Sequence, residues 1–190
     1  MRPIPSFSLQ LLFTLSLSLL STGVAAQSYV GIAAGKMSAS LKCKNSCQTS
    51  ATNLKLTGGV DLGSNWSLES QLNIASTMKG AFERINANAE SSISHKGIDL
   101  AALYRWRLND KFAVFSRTGL AFTSSEVKNS NAASASTTRY SALKPVIGAG
   151  LVYAITPLTY LRGDLDIRQA RSDGSNTNIT GLSVGIQSAF

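Results

Sequence analysis

The chain is poor in the residues from which most metal and catalytic sites are built. It has one histidine, His95, and two cysteines, Cys43 and Cys47. Metal sites usually gather three or four such ligands, so the sequence predicts no metal ion and no cofactor. A nucleophile–base pair would depend on His95, which lies beside Ser94 and four residues after Ser91. No catalytic signature surrounds it, and we interpret it as a solvated loop histidine in a protein that is not an enzyme.

Charged residues are also scarce, at 15% of the 190 residues. The 18 Lys and Arg outnumber the 10 Asp and Glu, which gives a net charge of +8. Basic proteins often bind nucleic acid or anionic lipid, but nucleic-acid binders tend to cluster their basic residues on one element or patch. Here the basic residues are spread through alternating segments, so we expect no nucleic-acid partner.

Long apolar runs are missing after the N-terminal segment. That segment has a short positive start, an apolar stretch over 9–20, and small residues that end at Ala26. This order is typical of a secretory signal peptide, and the stretch is short for a spanning helix, which needs about 20 apolar residues. We predict a cleaved signal peptide over 1–26 and a mature domain over 27–190. In an oxidising compartment, Cys43 and Cys47 are predicted to form a local loop disulfide.

The mature part alternates apolar and polar residues with a period of two, which indicates β-strands. In one example, Ile98, Leu100 and Ala102 oppose Asp99 and Arg105. The candidate strands number eight, and single-chain bacterial membrane barrels have an even number of strands. Candidate strands are 28–36, 53–62, 66–76, 97–107, 111–123, 142–155, 158–169 and 179–190.

The connections between these strands alternate in length. Three are short and hold turn-forming residues: 63–65, 108–110 and 156–157. The other four are long: 37–52, 77–96, 124–141 and 170–178. Short periplasmic turns and long external loops are typical of outer-membrane barrels, so we predict an eight-stranded antiparallel up-and-down transmembrane β-barrel in the outer membrane, with both termini periplasmic.

Aromatic residues are predicted to form a girdle at the periplasmic interface, where a ring can be apolar while its polar atom stays wet. All the candidates lie next to a short turn or a chain end. A soluble lipocalin-like barrel is the alternative fold, and it would turn its apolar face inward. The girdle candidates are Tyr29, Trp66, Trp106, Phe112, Tyr153 and Phe190.

The segment 145–157, Pro-Val-Ile-Gly-Ala-Gly-Leu-Val-Tyr-Ala-Ile-Thr-Pro, resembles the sixth strand and following turn of outer-membrane protein A-type barrels. The final strand, with Leu182, Val184 and Ile186 alternating before Phe190, is similar to the signal that the barrel-assembly machinery reads. Gln187 departs from it, because an aromatic residue is more typical there. The local match covers about a tenth of the chain, and the topology covers the mature part.

The resemblance implies an ion-pair network across the lumen, which in an eight-stranded barrel is just wide enough for side chains to fill. Arg162 and Asp164 match the family's positions, whereas the acidic partner on the sixth strand is Val152 here. The remaining ionic residues on polar strand faces are the other candidates. They are Asp61, Glu69, Arg105, Arg107, Arg117, Lys144, Asp166 and Arg168.

The external loops are predicted to carry the function. Their basic residues suit lipopolysaccharide phosphates or an acidic host ligand, which makes the leading hypothesis a structural and surface-interaction barrel. A narrow channel through the lumen is the alternative, and a lipid-modifying enzyme at the outer rim is a third hypothesis. The basic candidates are Lys36, Lys42, Lys44, Lys79, Arg84, Lys96, Lys128 and Arg139.

Overall fold

A computed structural model of the chain describes residues 27–40, 43–47, 49–82, 90–131, 134–172 and 175–190. The predicted signal peptide lies outside these ranges. The strands are β1 (Ser28–Ala39), β2 (Cys43–Cys47), β3 (Ser50–Gly63), β4 (Trp66–Ala75), β5 (Met78–Phe82), β6 (Glu90–Arg107), β7 (Phe112–Asn131), β8 (Ser134–Ala154), β9 (Thr159–Ser172) and β10 (Ser175–Ala189). No helix in the described part of the chain is long and apolar enough to cross a membrane.

Eight of the strands close into an antiparallel barrel in the order β1-β3-β4-β6-β7-β8-β9-β10. The first and last strands pair from Tyr29↔Ala189 to Ala39↔Ile179, and the β6–β7 ladder completes the ring. The backbone of Ser28 also exchanges hydrogen bonds with that of Phe190. Closure removes the unpaired sheet edges that lipid cannot solvate, and it confirms the predicted eight-stranded fold.

The three short connections lie at one end of the barrel, together with Ser28 and Phe190; we call this the turn end and the opposite end the loop end. Each turn is held by its own polar side chain or backbone. Asn109 accepts hydrogen bonds from the backbone N–H groups of Lys111 and Phe112, and Thr156 accepts one from Thr159. The third turn, 63–65, takes positive φ angles of 82°, 51° and 68°. Side-chain acceptors and left-handed residues are what short turns require.

The strands are longer at the loop end than the sequence predicted. The predicted loops 77–96 and 124–141 are largely strands, because β6 begins at Glu90 and the β7–β8 ladder extends to Asn131↔Ser134. The short strand β5 continues the line of β4 along β6, and β2 pairs with β5. The prediction was wrong here because it ended each strand where the outward apolar residues stop. Ser, Thr and Asn continue the pairing beyond that level, where lipid no longer selects apolar side chains.

The apolar face of the barrel points outward. Ile98, Leu100 and Phe122 are 55%, 56% and 51% exposed, whereas Asp99 between the first two is fully buried. Along β7 the apolar band runs from Phe112 to Phe122, which is about 33 Å of strand at about 3.3 Å per residue, or about 25 Å of height at a tilt of about 40°. This inside-out pattern excludes the lipocalin-like alternative and matches the hydrocarbon layer of a membrane.

A charge placed in the middle of this band tests the lipid face. Leu100→Arg is expected to destabilise the barrel by about 2–4 kcal/mol, because the guanidinium would lie near the bilayer midplane. Thr137→Arg, on the exposed face of β8 at the loop end, is the matched control and is expected to change little. Reversible urea unfolding in lipid vesicles gives both values. Equal, small effects of the two variants would mean that the band is in water.

Candidate functional site: the lumen and the loop-end rim

The centre of the lumen holds a network of eight buried charged side chains, which we call the central network. Four are basic and four are acidic, so its formal charge is zero, and none is more than 4% exposed. They face inward because each lies on the polar side of the period-two alternation. The members are Lys55, Glu69, Asp99, Arg117, Arg162, Asp164, Asp166 and Arg168.

Arg162 on β9 joins three strands of the barrel. Its guanidinium donates to Glu69 on β4 at 2.5 Å, to Asp164 at 2.8 Å and to Gln187 on β10 at 3.1 Å. The same guanidinium carbon lies 4.5 Å from the ring centre of Phe115, a cation–π distance. Arg162 therefore has partners on both its edges and its face, which is what a buried guanidinium needs.

Arg117 on β7 is the second hub and contacts three carboxylates. Its nitrogens lie 3.2 Å from Glu69, 2.9 Å from Asp99 and 2.9 Å from Asp166. Arg168 pairs with Asp99 at 3.1 Å, and Lys55 pairs with Asp166 at 2.5 Å. The carboxylates are shared between cations, so the network is continuous across the lumen.

The sequence analysis missed Lys55 and Asp99, together with the amide residues that support the network. Asn73 donates to Asp99 at 3.1 Å, and Gln71 donates to Glu69 at 2.8 Å. The signal that could have identified Lys55 and Asp99 was the alternation of side chains between the two faces of a strand. Asp99 shares a face with Arg105, and Lys55 lies on the face opposite to that of Leu54 and Leu56, so the alternation places both on the polar face.

Asp61, Arg105 and Arg107, which were predicted to join the network, lie near the turn end. Lys144 faces the lumen but forms no ion pair in the described part of the chain. Asp61 and Arg105 form a separate, partly exposed pair at 3.6 Å near the turn end. Arg107 is exposed at the turn-end mouth because it is the last residue of β6. Lys144, half-buried and opposite Ala121 on β7, lies beyond the network toward the loop end. The prediction was wrong to include Arg107 and Lys144, because facing the polar side does not fix the height along the lumen.

Tyr29 corrects the predicted aromatic girdle. It is 2% exposed and points into the lumen, where its hydroxyl donates to Glu69 at 3.0 Å and its ring covers Gly59. Odd-numbered residues of β1, such as Ala33 and Met37, face inward, and Tyr29 shares their parity. A side chain on Gly59 would clash with the ring, so the glycine makes room for it.

The other five girdle candidates lie on the outside of the turn end. Trp66, Trp106, Phe112 and Phe190 are 45–71% exposed, and the ring of Tyr153 packs 4.7 Å from that of Phe112. Tyr104, which the sequence analysis missed, lies between the two tryptophans at centroid distances of 4.9 and 4.7 Å. An outward aromatic belt at one level is typical of a membrane interface.

His95 is not a solvated loop histidine. It lies on β6, is 3% exposed, and its Nδ1 atom lies 2.8 Å from the hydroxyl of Ser125. Odd-numbered residues of β6, including Ile93 and Asp99, face the lumen, so the longer strand carries His95 inward as well. The prediction failed because it began this strand at residue 97, whereas β6 begins at Glu90.

Apolar residues close the lumen above the central network. The loop-end cap, as we call this cluster, includes Met78 and Ile93, both fully buried, with Ile179, Val127 and Met37 at 1–3% exposure. A smaller apolar cluster of Leu103, Ala113, Phe115 and Val152 lies on the turn-end side. Val152, which replaces the acidic residue of the resembling family, thus packs against apolar neighbours instead of joining the ion pairs.

Four of the predicted basic residues form one outward patch at the loop end, on strand extensions instead of loops. The ladders place Lys79 opposite Ser92, and Ser92 opposite Lys128. Arg139 lies opposite Glu126, and Lys96 lies one row nearer the apolar band. We call Lys79, Lys96, Lys128 and Arg139 the loop-end basic patch.

The remaining basic candidates are not part of this patch in the described structure. Lys36 is exposed on β1, on another side of the barrel. Lys42 and Arg84 lie outside the described residues, and so does the side chain of Lys44 on β2. The side chains of Cys43 and Cys47 are likewise not described, so their disulfide stays a prediction.

The sequence matches the family of outer membrane protein beta-barrel domains over residues 11–190. The chain belongs to this family. No curated protein matches it. Membership fits the outward apolar band, and it assigns this barrel to the outer membrane of Gram-negative bacteria.

Solved structures of other outer-membrane barrels are similar to this one in fold. Neisserial surface protein A is 15% identical with a TM-score of 0.64, covering 86% of this chain and 97% of its own. OprG of Pseudomonas aeruginosa is 13% identical with a TM-score of 0.62, covering 87% and 96%. Ail, the attachment invasion locus protein of Yersinia pestis, in complex with the heparin analogue sucrose octasulfate, is 11% identical with a TM-score of 0.59, covering 88% and 100%. At these identities the likeness extends to the fold alone.

Removing Arg117 tests the central network of this outer-membrane barrel. Arg117→Met is expected to cost about 3–5 kcal/mol, because Glu69, Asp99 and Asp166 would lose a shared cation in a buried site. Adding Asp99→Asn restores a formal charge of zero and is expected to recover part of the loss. Lys144→Met, without an ion pair in the described structure, is the control. Urea unfolding in vesicles measures all of them, and a loss for Arg117→Met no larger than the control's would refute the network's role.

Tyr29→Phe tests the correction to the girdle. Loss of a buried hydrogen bond to a carboxylate is expected to cost about 1.5–3 kcal/mol. Tyr153→Phe removes a hydroxyl from the outer surface and is expected to be nearly neutral. The two unfolding midpoints should therefore separate, and the reverse order would place Tyr29 at the lipid interface.

Proposed function

We propose that this outer-membrane barrel is a surface-interaction protein whose loop-end basic patch binds phosphate or sulfate groups. In this proposal the turn end and both termini face the periplasm, and the loop end faces outward. The phosphates of lipopolysaccharide are one source of such anions, and a sulfated host polysaccharide is another. The strands serve as the anchor.

The position of the patch is the observation that carries the proposal. On the outward face of β6, Lys96 is the next residue after Ile98 in the direction of the loop end. On β7, Ser124 lies opposite Lys96 and is the next outward residue after Phe122 in the same direction. Basic side chains thus begin where the apolar band ends. In an outer membrane that level is occupied by lipid headgroups, and long basic side chains favour such an interface. Hydroxyls of Ser92, Ser94, Ser124 and Thr137 lie on the same face and offer further hydrogen bonds to anions.

The patch keeps a net positive charge despite one carboxylate. Glu126 accepts from Arg139 Nε at 2.8 Å and lies 3.2 Å from Lys128. Hydrogen bonding to Arg139 and then to Lys128 lowers the pKa of Glu126, so it stays ionised at neutral pH and offsets one of four positive charges. Arg139 uses only Nε in this pair, and its side chain is 75% exposed. Its terminal nitrogens are thus available for bidentate contact with a phosphate or sulfate.

Two further observations support this function. The central network and the loop-end cap occupy the described lumen, which favours an external site over the channel hypothesis. Ail, which shares the fold, was solved with a sulfated heparin analogue.

We also propose that a signal peptide over 1–26 directs export, and that the barrel-assembly machinery recognises β10 with Phe190.

Charge removal at the patch tests the proposal. With the protein in neutral phosphatidylcholine nanodiscs, binding of lipopolysaccharide and of a heparin fragment is measured separately by anisotropy over a range of salt. The triple variant Lys96→Ser, Lys128→Ser, Arg139→Ser is expected to bind about a hundredfold more weakly, at about 1 kcal/mol per basic residue near an anionic surface. Glu126→Gln should strengthen binding because it removes the opposing charge.

Lys36→Ser is the matched control, since Lys36 is exposed on a different side of the barrel. A loss with both probes in the triple variant would support general anion binding, and a loss with one probe would identify the source. If the triple variant binds both probes as well as the Lys36 variant does, the proposed site is wrong.

A further inference from the structure

In the part of the chain that the structure describes, strand β8 has an unpaired edge at the loop end. The β8–β9 ladder runs from Ala154↔Tyr160 to Val146↔Arg168 and stops there. Both strands continue, β8 back to Ser134 and β9 on to Ser172. In the described structure, residues 137–145 of β8 pair with β7 on one side and with no strand on the other. The described barrel wall is thus open along a seam between β8 and β9 that begins at the upper end of the apolar band, where Leu143 lies opposite Phe122, and continues toward the loop end.

The sequence explains where the seam begins. Pro145 is the first residue beyond the last β8–β9 pair, and proline has no N–H to donate to a ladder. Backbone hydrogen bonds at the turn end of β8 show which N–H groups point toward β9. Ala154 donates to Lys111, on the β7 side, whereas Ile155 donates to Thr159, on the β9 side. Because these directions alternate along a strand and β8 keeps one register with β7, odd-numbered residues point their N–H toward the seam.

Along the seam, alternate residues of β8 therefore present a backbone N–H donor and a C=O acceptor that no described strand pairs with. Thr137, Arg139, Ser141 and Leu143 direct their N–H and C=O groups into it. Such an edge is a template for strand addition, in which main-chain hydrogen bonds supply affinity and alternate side chains supply specificity.

We infer that this β8 edge binds an extended, acidic peptide segment of a partner protein by adding it as a strand. The inference deepens the proposed surface-interaction function, but it uses the backbone edge and not the basic patch alone. Opposite charges across neighbouring strands stabilise pairing, and like charges oppose it. Arg139 lies on the outward face of the edge strand, so a second copy of this chain would bring like charges together, while an acidic strand would neutralise Arg139.

The two faces of the edge specify an alternating sequence. Outward residues of the added strand would lie beside Arg139, which favours glutamate or aspartate. Inward residues would lie beside Tyr140 and Ala142, which are half-buried, and Tyr140 packs against the loop-end cap. Apolar residues fit that side, so the expected partner alternates acidic and apolar residues over a length matching 137–143.

The test uses the full chain, refolded in neutral nanodiscs, and a labelled peptide in which glutamate and valine alternate. A peptide of the same composition, with its glutamates in one block and its valines in another, is the control for purely ionic attraction to the basic patch. Ser141→Pro removes an edge N–H but none that pairs with β7, whereas Ser141→Ala keeps it. We expect the alternating peptide to bind the wild type and Ser141→Ala, and to bind Ser141→Pro about tenfold or more weakly. Lipopolysaccharide binding should be unchanged in Ser141→Pro, which separates this inference from the anion site.

A second arm leaves the protein unaltered, so it decides the matter even if Ser141→Pro fails to fold. The peptide is N-methylated at alternate residues in two sets of opposite parity. Strand addition requires that one set abolish binding and the other preserve it. Equal binding of both sets, or of the blocked peptide, would overturn the inference in favour of ionic contact alone. Dimers in wild type that Ser141→Pro abolishes would overturn it in favour of a second copy of the chain.

Discussion

Ion pairing inside a narrow lumen is the constraint on which the rest of this barrel depends. Eight strands leave an interior that side chains must fill, and four buried cations there require four buried anions. Arg117 and Arg162 meet this requirement by sharing Glu69 between them. Their contacts tie β4, β7 and β9 together across the lumen, so the wall and its filling stabilise one another.

Because the central network lies across the described lumen, the proposed function is assigned to the outside of the barrel. Below the loop end that surface is apolar and belongs to lipid. Above it, Ser and Thr residues prolong the strands into water, and this extension presents both the basic patch and the free edge of β8. Arg139 belongs to both features, so the proposed anion binding and the proposed strand addition would meet at one place on the molecule.

Much of the fold followed from two patterns in the sequence: the period of two and the alternation of short and long connections. Residues such as Leu100, Arg162 and Trp106 lie on the faces those patterns indicate. The ends of strands could not be predicted in the same way, because beyond the membrane outward residues are polar and the alternation loses its contrast. That loss hid the inward position of His95. Tyr29 was misjudged for another reason, since its place depends on Glu69 and Gly59, which are distant in sequence. Height along the lumen, which excludes Arg107 and Lys144 from the network, is fixed only by the register between strands.

Single-channel recording of the refolded chain in a planar bilayer tests the central claim most directly. A heat-induced gel shift would first establish that the barrel is folded. The account predicts a silent membrane at physiological salt, because the central network and the loop-end cap lie across the described lumen. Steady, reproducible openings whose conductance changes in Arg162→Ala would contradict it and make the lumen, instead of the outer rim, the functional site.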